Sequence, residues 1–123
     1  MSRQKSVFLL LFFIAGLGSL ALGANSIPAA EAGKHIGEKA TVCGLVAGVH
    51  KATSTRGTPT FVNLDKAYPH QVFTILIWGD DLSKFTPAPN TWEGKQVCAT
   101  GVISSHQGVP EIVAREAGQV SLP

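Results

Sequence analysis

Two stretches of this sequence repeat one pattern, in which a glycine is followed by alternating polar, small and apolar residues that include a cysteine. Gly37–Gly44 reads Gly-Glu-Lys-Ala-Thr-Val-Cys-Gly, and Gly94–Gly101 reads Gly-Lys-Gln-Val-Cys-Ala-Thr-Gly. A period of two is typical of β-strands, because successive side chains of a strand point to opposite faces. The two cysteines of the chain, Cys43 and Cys98, therefore fall in two similar predicted strands.

Three further short segments have strand character, and glycine, proline and small polar residues separate them from one another. With the two repeated stretches they make five short strands in about eighty residues, an all-β arrangement. The predicted strands are Lys39–His50, Thr60–Leu64, Phe73–Trp78, Lys95–Ile103 and Val109–Ala114.

A short helix is predicted before the first strand. Ser26 is a suitable N-cap, Pro28 and Glu31 suit a first helical turn, and the helix is expected to end near Ile36, before Gly37. Residues 25–36 are thus predicted to form an N-terminal segment ahead of the β domain.

A second short helix is predicted between the third and fourth strands. Its cap is Asp80 or Asp81, its apolar anchors are Leu82 and Phe85, and Pro87 and Pro89 interrupt it. It is expected to close one end of the β-structure.

The amino terminus has the pattern of a secretory signal peptide, assigned to residues 1–24. Arg3 and Lys5 precede an apolar run from Val7 to Leu22, and the small residues Gly23 and Ala24 follow. An uncleaved membrane anchor is the alternative, although the run is shorter than the roughly 20 apolar residues that span a bilayer. We therefore expect an exported protein, periplasmic or secreted, that meets a membrane only if the leader is retained.

The sequence resembles small bacterial single-domain proteins with the oligonucleotide/oligosaccharide-binding (OB) fold, over roughly residues 36 to 120. The matching motifs are the two glycine-led strands, the hairpin Gly57–Leu64, the Tyr68-Pro69 turn and the Phe-Thr-Ile-x-Ile-Trp strand that begins at Phe73. The resemblance implies a five-stranded Greek-key barrel over residues 37–120. It also implies a binding function, with single-stranded nucleic acid as the expected ligand.

The same resemblance implies how the cysteines are placed. The first and fourth strands of an OB barrel are antiparallel neighbours, so Cys43 is expected opposite Cys98, with Thr41 opposite Thr100. An exported protein with cysteines placed in this way is expected to form a disulfide. Two buried free thiols are the alternative. A redox-active pair is disfavoured, because the sequence has neither a Cys-x-x-Cys motif nor a cation beside either cysteine.

The charge of the chain argues against strong, nonspecific nucleic-acid binding. Loss of Arg3 and Lys5 with the leader reduces ten basic residues to eight, which equals the eight acidic residues. Nucleic-acid affinity depends strongly on neutralised phosphates and usually requires a basic surplus. Basic residues still outnumber acidic ones in the first half of the mature chain, which is enough for a modest positive patch at the edge of a binding face.

The predicted binding face lies on the outer side of the second and third strands. Val62, Leu64, Phe73, Ile75 and Ile77 are expected to point into the core, and the alternate residues outward. The aromatic at the position of Phe61 commonly stacks a base in OB anticodon-binding domains. The predicted site therefore comprises Phe61, Asn63, Thr74, Leu76 and Trp78, with Lys51, Arg56 and Lys66 as the flanking cations and His50 beside them.

This face suits single-stranded nucleic acid, another polyanion or an oligosaccharide, because bases and sugar rings both pack on aromatic side chains. Two alternatives stay open at this point. In the first, Phe61 and Trp78 are structural residues covered by other parts of the protein. In the second, the module binds another envelope protein instead of a polymer.

Catalysis, a cofactor and a metal site are not expected. The sequence contains no nucleophile elbow, phosphate loop or His-Glu-x-x-His motif. Its histidines, His35, His50, His70 and His106, lack the spacing of a zinc-binding pair.

Overall fold

The computed structural model describes residues 26–122. The signal peptide predicted at residues 1–24, and with it the alternative of a retained anchor, lies outside this range. In the described range, no helix is long and apolar enough to cross a membrane.

The described chain is mostly β-structure, with short 3₁₀ helices between some strands. The helices are Ala29–His35, Gly79–Lys84, Pro89–Thr91 and Ala117–Gln119. The strands are β1 (Ser26–Pro28), β2 (Lys39–Lys51), β3 (Thr60–Leu64), β4 (Phe73–Ile77), β5 (Gln96–Val102), β6 (Ser104–His106), β7 (Val109–Val113) and β8 (Val120–Ser121).

All eight strands belong to one sheet, in the order β6-β7-β4-β3-β2-β5-β8, with β1 paired to β2 in parallel. The long strand β2 pairs with β5 from Lys39 to Leu45 and with β3 from Val46 to Lys51. Strands β4 and β7 are parallel, and the pairs β2–β3, β3–β4 and β2–β5 are antiparallel. The hydrogen-bonded path is open, and Ile103 alone separates β5 from β6 in the chain.

The expectation of five strands is wrong in number, because β1, β6 and β8 are additional. Each is only two or three residues long, too short to show an alternating pattern in sequence. Ser26–Pro28, predicted to start a helix, is β1, and Ser104–His106, which lies between two predicted strands, is β6. The two predicted helices are 3₁₀ rather than α, and a break after Lys84 splits the second one.

The two repeated segments are paired as expected. Cys43 lies opposite Cys98, Thr41 opposite Thr100 and Val42 opposite Ala99 in the antiparallel pair β2–β5. Cys43 and Cys98 form a disulfide, and the Oγ1 atoms of Thr41 and Thr100 are hydrogen-bonded at 2.7 Å. The disulfide prediction is confirmed, and the alternative of two free thiols is wrong.

The core lies on the inner face of the sheet. The residues predicted to point inward on β3 and β4, from Val62 to Ile77, are fully buried. Phe85 and Trp92 complete the core from the segment after β4, where their rings meet edge to face at 6.1 Å. The Trp92 indole donates a hydrogen bond to the carbonyl oxygen of Pro87 at 3.0 Å, so its polar atom is satisfied.

The side chain of Gln119 joins two strands that are not neighbours in the hydrogen-bonded order. Its Nε2 donates to the carbonyl oxygens of Thr100 in β5 and Val113 in β7, at 3.0 and 3.2 Å. A Cβ atom at Gly101 would lie 2.9 Å from Ile112, so β5 and β7 also approach closely through these residues. One glutamine therefore bridges the gap between the two strands.

Candidate binding cleft

The outer face of β3, β4 and β7 carries a row of polar residues. Asn63 lies opposite Thr74, and Thr74 lies opposite Glu111, so the row crosses three strands. The neighbouring row begins at His50 and continues through Phe61 and Leu76. Alternation along each strand places these residues on the face opposite the core.

A cleft of about 720 Å³ opens above these rows. Its floor is formed by strand residues. Its walls come from the segment after β3, the turn between β6 and β7, and the loop after β2. The lining residues are His50, Ala52, Thr55, Phe61, Asn63, Tyr68, Pro69, Gln71, Thr74, His106, Gln107, Val109 and Glu111.

The floor of the cleft is polar although it is buried. Asn63 and Thr74 are only 4% and 5% exposed, and Thr74 Oγ1 donates a hydrogen bond to Asn63 Oδ1 at 3.1 Å. A buried polar pair of this kind is tolerated because the hydrogen bond gives the Thr74 hydroxyl an acceptor and the Asn63 carbonyl oxygen a donor. The pair holds an amide at a defined position below the opening.

Aromatic rings contribute to both the floor and the wall. Phe61 is half-buried, and the imidazole of His50 stacks on it with the ring centroids 6.5 Å apart and the planes 9° apart. Tyr68, on the wall, is 75% exposed. The cleft therefore offers apolar ring surface to a planar or ring-shaped ligand.

Two polar groups of the cleft are buried, fully or in part, without enough protein partners to offset the loss of water. Burial raises the pKa of the Glu111 carboxyl above its usual range, and the nearby His106 opposes part of that shift. Gln71 Oε1 is buried, and no hydrogen-bond partner for it is found among residues 26–122. The half-buried Glu111 carboxyl is able to accept a hydrogen bond from a ligand, whereas Gln71 Oε1 has almost no exposed surface.

The structure brings three of the predicted site residues together in the cleft and leaves five outside its lining. Phe61, Asn63 and Thr74 line it. Leu76 lies on the same face but is buried at 6% exposure. The remaining four are Trp78, Lys51, Arg56 and Lys66.

Trp78 lies after the end of β4 and is 39% exposed. A Cβ atom at Gly57 would lie 2.9 Å from its ring, so the indole packs closely on the loop that follows β2. Lys51 lines a separate apolar crevice of about 350 Å³, together with Thr60 and Leu82. The two aromatic residues of the predicted face are thus apart: Phe61 lines the cleft, and Trp78 lies outside its lining, against Gly57.

Sequence reasoning missed Tyr68, Gln71, His106 and Glu111 as lining residues. Glu111 had a usable signal, because it alternates with the inward-pointing Ile112 in a predicted strand. Tyr68 was noted only as part of a motif. Gln71 and His106 lie outside the predicted strands, so strand alternation says nothing about which way they face.

Residues 26–122 contain no group of three or more histidine, cysteine, aspartate or glutamate side chains arranged to hold a metal ion.

No protein-family model matches the chain, and no curated protein matches it. Solved structures do share its fold. The OBody AM1L10 bound to hen egg-white lysozyme superposes with a TM-score of 0.52 at 14% identity, over 80% of this chain and 93% of that one. A Leishmania major Friedlin protein assigned as an aspartyl-tRNA synthetase gives 0.51 at 9% identity, over 85% of this chain and 22% of that one. At these identities the similarity concerns the fold alone.

Proposed function

We propose that this chain is an exported OB-type module that binds a ligand non-covalently in the cleft above β3, β4 and β7. The observation that carries the proposal is the combination of a buried polar floor, Asn63 and Thr74, with ring surface from Phe61 and Tyr68. A concave site with a few placed polar groups and apolar walls is the usual form of a ligand pocket. The module acts by binding, without catalysis.

Strand order supports the OB-type assignment. The antiparallel pair β2–β5 joins the first and fourth predicted strands, which is the pairing that the resemblance implies. The Gln119 side chain brings β5 and β7 together although the two strands are not paired with each other, which also favours a curled sheet. The similarity in fold to the two solved structures supports the same assignment.

Two independent features support export. The first is the leader pattern at residues 1–24. The second is the disulfide between Cys43 and Cys98, because disulfides persist in oxidising compartments and are rare in the cytosol. Together they support the proposal of a periplasmic or secreted location.

The expected ligand is an extended polymer with stackable rings, either a single-stranded nucleic acid or an oligosaccharide. Stacking of one base on an aromatic side chain contributes about 1 to 3 kcal/mol, so a ring on Phe61 and another on Tyr68 suffice for measurable affinity. The buried Asn63–Thr74 pair gives the floor a fixed shape before the ligand arrives.

The proposal is tested by following the backbone amide resonances of the purified protein during titration with octathymidylate and with neutral tetrasaccharides. The expected result is a set of shifts at Phe61, Thr74 and Glu111. Thr41 and Thr100, in the disulfide-bonded pair β2–β5, serve as the internal control and should not move. Shifts confined to that pair, or no shifts with any probe, would contradict the proposal and favour a protein partner.

A further inference from the structure

The basic and acidic side chains that line the cleft do not suit a phosphate backbone. No lysine or arginine from residues 26–122 contributes to the lining, to which that range supplies the imidazoles of His50 and His106 as basic side chains and the carboxyl group of Glu111 as the one acidic group. Single-stranded nucleic-acid sites combine stacking rings with a positively charged groove that follows the backbone. Here a phosphate would meet a partly buried carboxylate instead of a cation.

The accessible side chains of the cleft include an acceptor and donors. The Glu111 carboxylate, when ionised, only accepts hydrogen bonds, whereas the Tyr68 hydroxyl and the Gln107 amide also donate them. Phosphodiester oxygens only accept hydrogen bonds, so they supply no donor to the Glu111 carboxylate. Hydroxyl groups donate and accept, and a sugar carries several around one ring. The hydrogen-bonding pattern therefore complements a polyhydroxylated ligand.

The aromatic side chains suit the same ligand. A sugar ring has an apolar face of C–H groups that packs on an aromatic ring, and it needs no charge to do so. Tyr68 is 75% exposed on the wall, and Phe61 lies on the floor. Such rings contribute large apolar contact area with little flexibility.

From these observations we infer that the cleft binds an uncharged oligosaccharide and not a single-stranded nucleic acid, with Tyr68 and Phe61 packing on sugar rings and Glu111 accepting hydrogen bonds from sugar hydroxyls. The inference rests on the proposed function and specifies its ligand.

The test is a titration of the protein, purified from expression of the full sequence, with chitotetraose, cellotetraose, maltotetraose and octathymidylate. Binding is followed by amide resonances and calorimetry at about 50 and about 200 mM salt, a range over which phosphate-dependent affinity falls steeply. The expected result is that one or more tetrasaccharides bind with a Kd that does not change with salt, and that octathymidylate does not bind.

Substitutions inside and outside the cleft then test whether the ligand binds there. Tyr68→Ala should weaken tetrasaccharide binding about tenfold or more, because one ring contact of roughly 1.4 kcal/mol is lost. Its side chain is so exposed that folding does not depend on it. Trp78→Ala removes a partly exposed ring outside the cleft and should leave the Kd unchanged. Equal weakening by both substitutions, in proteins with native amide spectra, would overturn the placement.

A charge reversal provides the second arm. Glu111→Lys should weaken the tetrasaccharide and create a salt-dependent affinity for octathymidylate, because it adds the missing cation. Glu93→Lys makes the same charge change at an exposed position outside the cleft and should do neither.

Different results would contradict the identity of the ligand and the binding function of the cleft. Salt-dependent binding of octathymidylate to the unsubstituted cleft would overturn the oligosaccharide inference and leave the proposed binding function intact. No binding of any probe would overturn the binding function itself.

Discussion

Thr74 Oγ1 donates a hydrogen bond to Asn63 Oδ1 at 3.1 Å, across the antiparallel strands β3 and β4. Both side chains lie on the outer face of strands whose inner residues, Val62 and Ile75, are fully buried. The polar pair is therefore held on a rigid support and is itself almost inaccessible to solvent. It makes the floor of the cleft a single structural unit with the core.

Thr74→Val should destabilise the protein by about 1 to 3 kcal/mol, because the isosteric change leaves Asn63 Oδ1 buried without its donor. Thermal and urea unfolding measure the change. Thr74→Ser keeps the hydroxyl and is the matched control, with an expected loss well below that of the valine variant. Equal losses for the two variants would show that the methyl group, and not the hydrogen bond, matters at this position.

Reduction of the Cys43–Cys98 disulfide should lower stability by about 4 kcal/mol, as expected for the chain entropy of a loop of 55 residues. The measurement is a melting curve with and without reductant. The double variant Cys43→Ala with Cys98→Ala should melt near the reduced protein and show no response to reductant. An unchanged melting temperature on reduction would mean that the bond does not stabilise the fold.

Glu111→Gln should change how stability depends on pH. Burial raises the pKa of the Glu111 carboxyl, so the folded state holds its proton to a higher pH than the unfolded chain does. Stability contributed by this group is therefore lost as pH rises through the window above the ordinary glutamate pKa of about 4.3.

Melting temperatures between about pH 4 and about pH 6 should show the glutamine variant gaining on the parent protein as pH rises. Glu93→Gln controls for the general loss of one negative charge. A glutamine variant that loses stability relative to the parent over this range would indicate that the carboxylate makes a favourable contact in the folded state.

Gly57→Ala should be strongly destabilising for two separable reasons. The residue has φ of +81°, and an added Cβ would lie 2.9 Å from the ring of Trp78. Backbone strain of this kind costs about 1 to 3 kcal/mol, and the steric contact adds to it. Gly33→Ala, where nothing lies within 4 Å of an added Cβ, is the matched control and should change stability by less than about 0.5 kcal/mol.

A double-mutant cycle separates the two reasons. Combining Gly57→Ala with Trp78→Ala removes the steric contact but not the backbone strain, so the two losses should be less than additive. Strict additivity in urea unfolding would mean that the indole does not pack on Gly57 in solution.

The longer strands were predictable because each shows a clear period of two and has glycine or proline nearby. The pairing of Cys43 with Cys98 was predictable because two similar segments were assigned to neighbouring strands. The short strands β1, β6 and β8 were not, since two or three residues cannot display a period. Ser26 and Pro28 are common at helix starts, and nothing local distinguishes that use from an edge strand.

The binding site was predictable only where strand alternation determines it. Phe61, Asn63 and Thr74 face outward by alternation, and they line the cleft. The position of Trp78 depends on where β4 ends, one residue before it. Tyr68 belongs to a connecting segment and His106 ends the three-residue strand β6, and neither segment leaves a periodic signal in the sequence.

The floor of the cleft is built from buried strand residues, and its rim is built from exposed residues. Asn63 and Thr74 cannot change without disturbing the residues packed beneath them. Tyr68 lies in the exposed connection after β3, and His106 ends the exposed strand β6 at its turn into β7, so neither contributes to the core. Substitutions, insertions and deletions in these connections should therefore be tolerated. Related or laboratory-evolved chains are then able to acquire new ligand preferences by altering the rim while the interior stays constant.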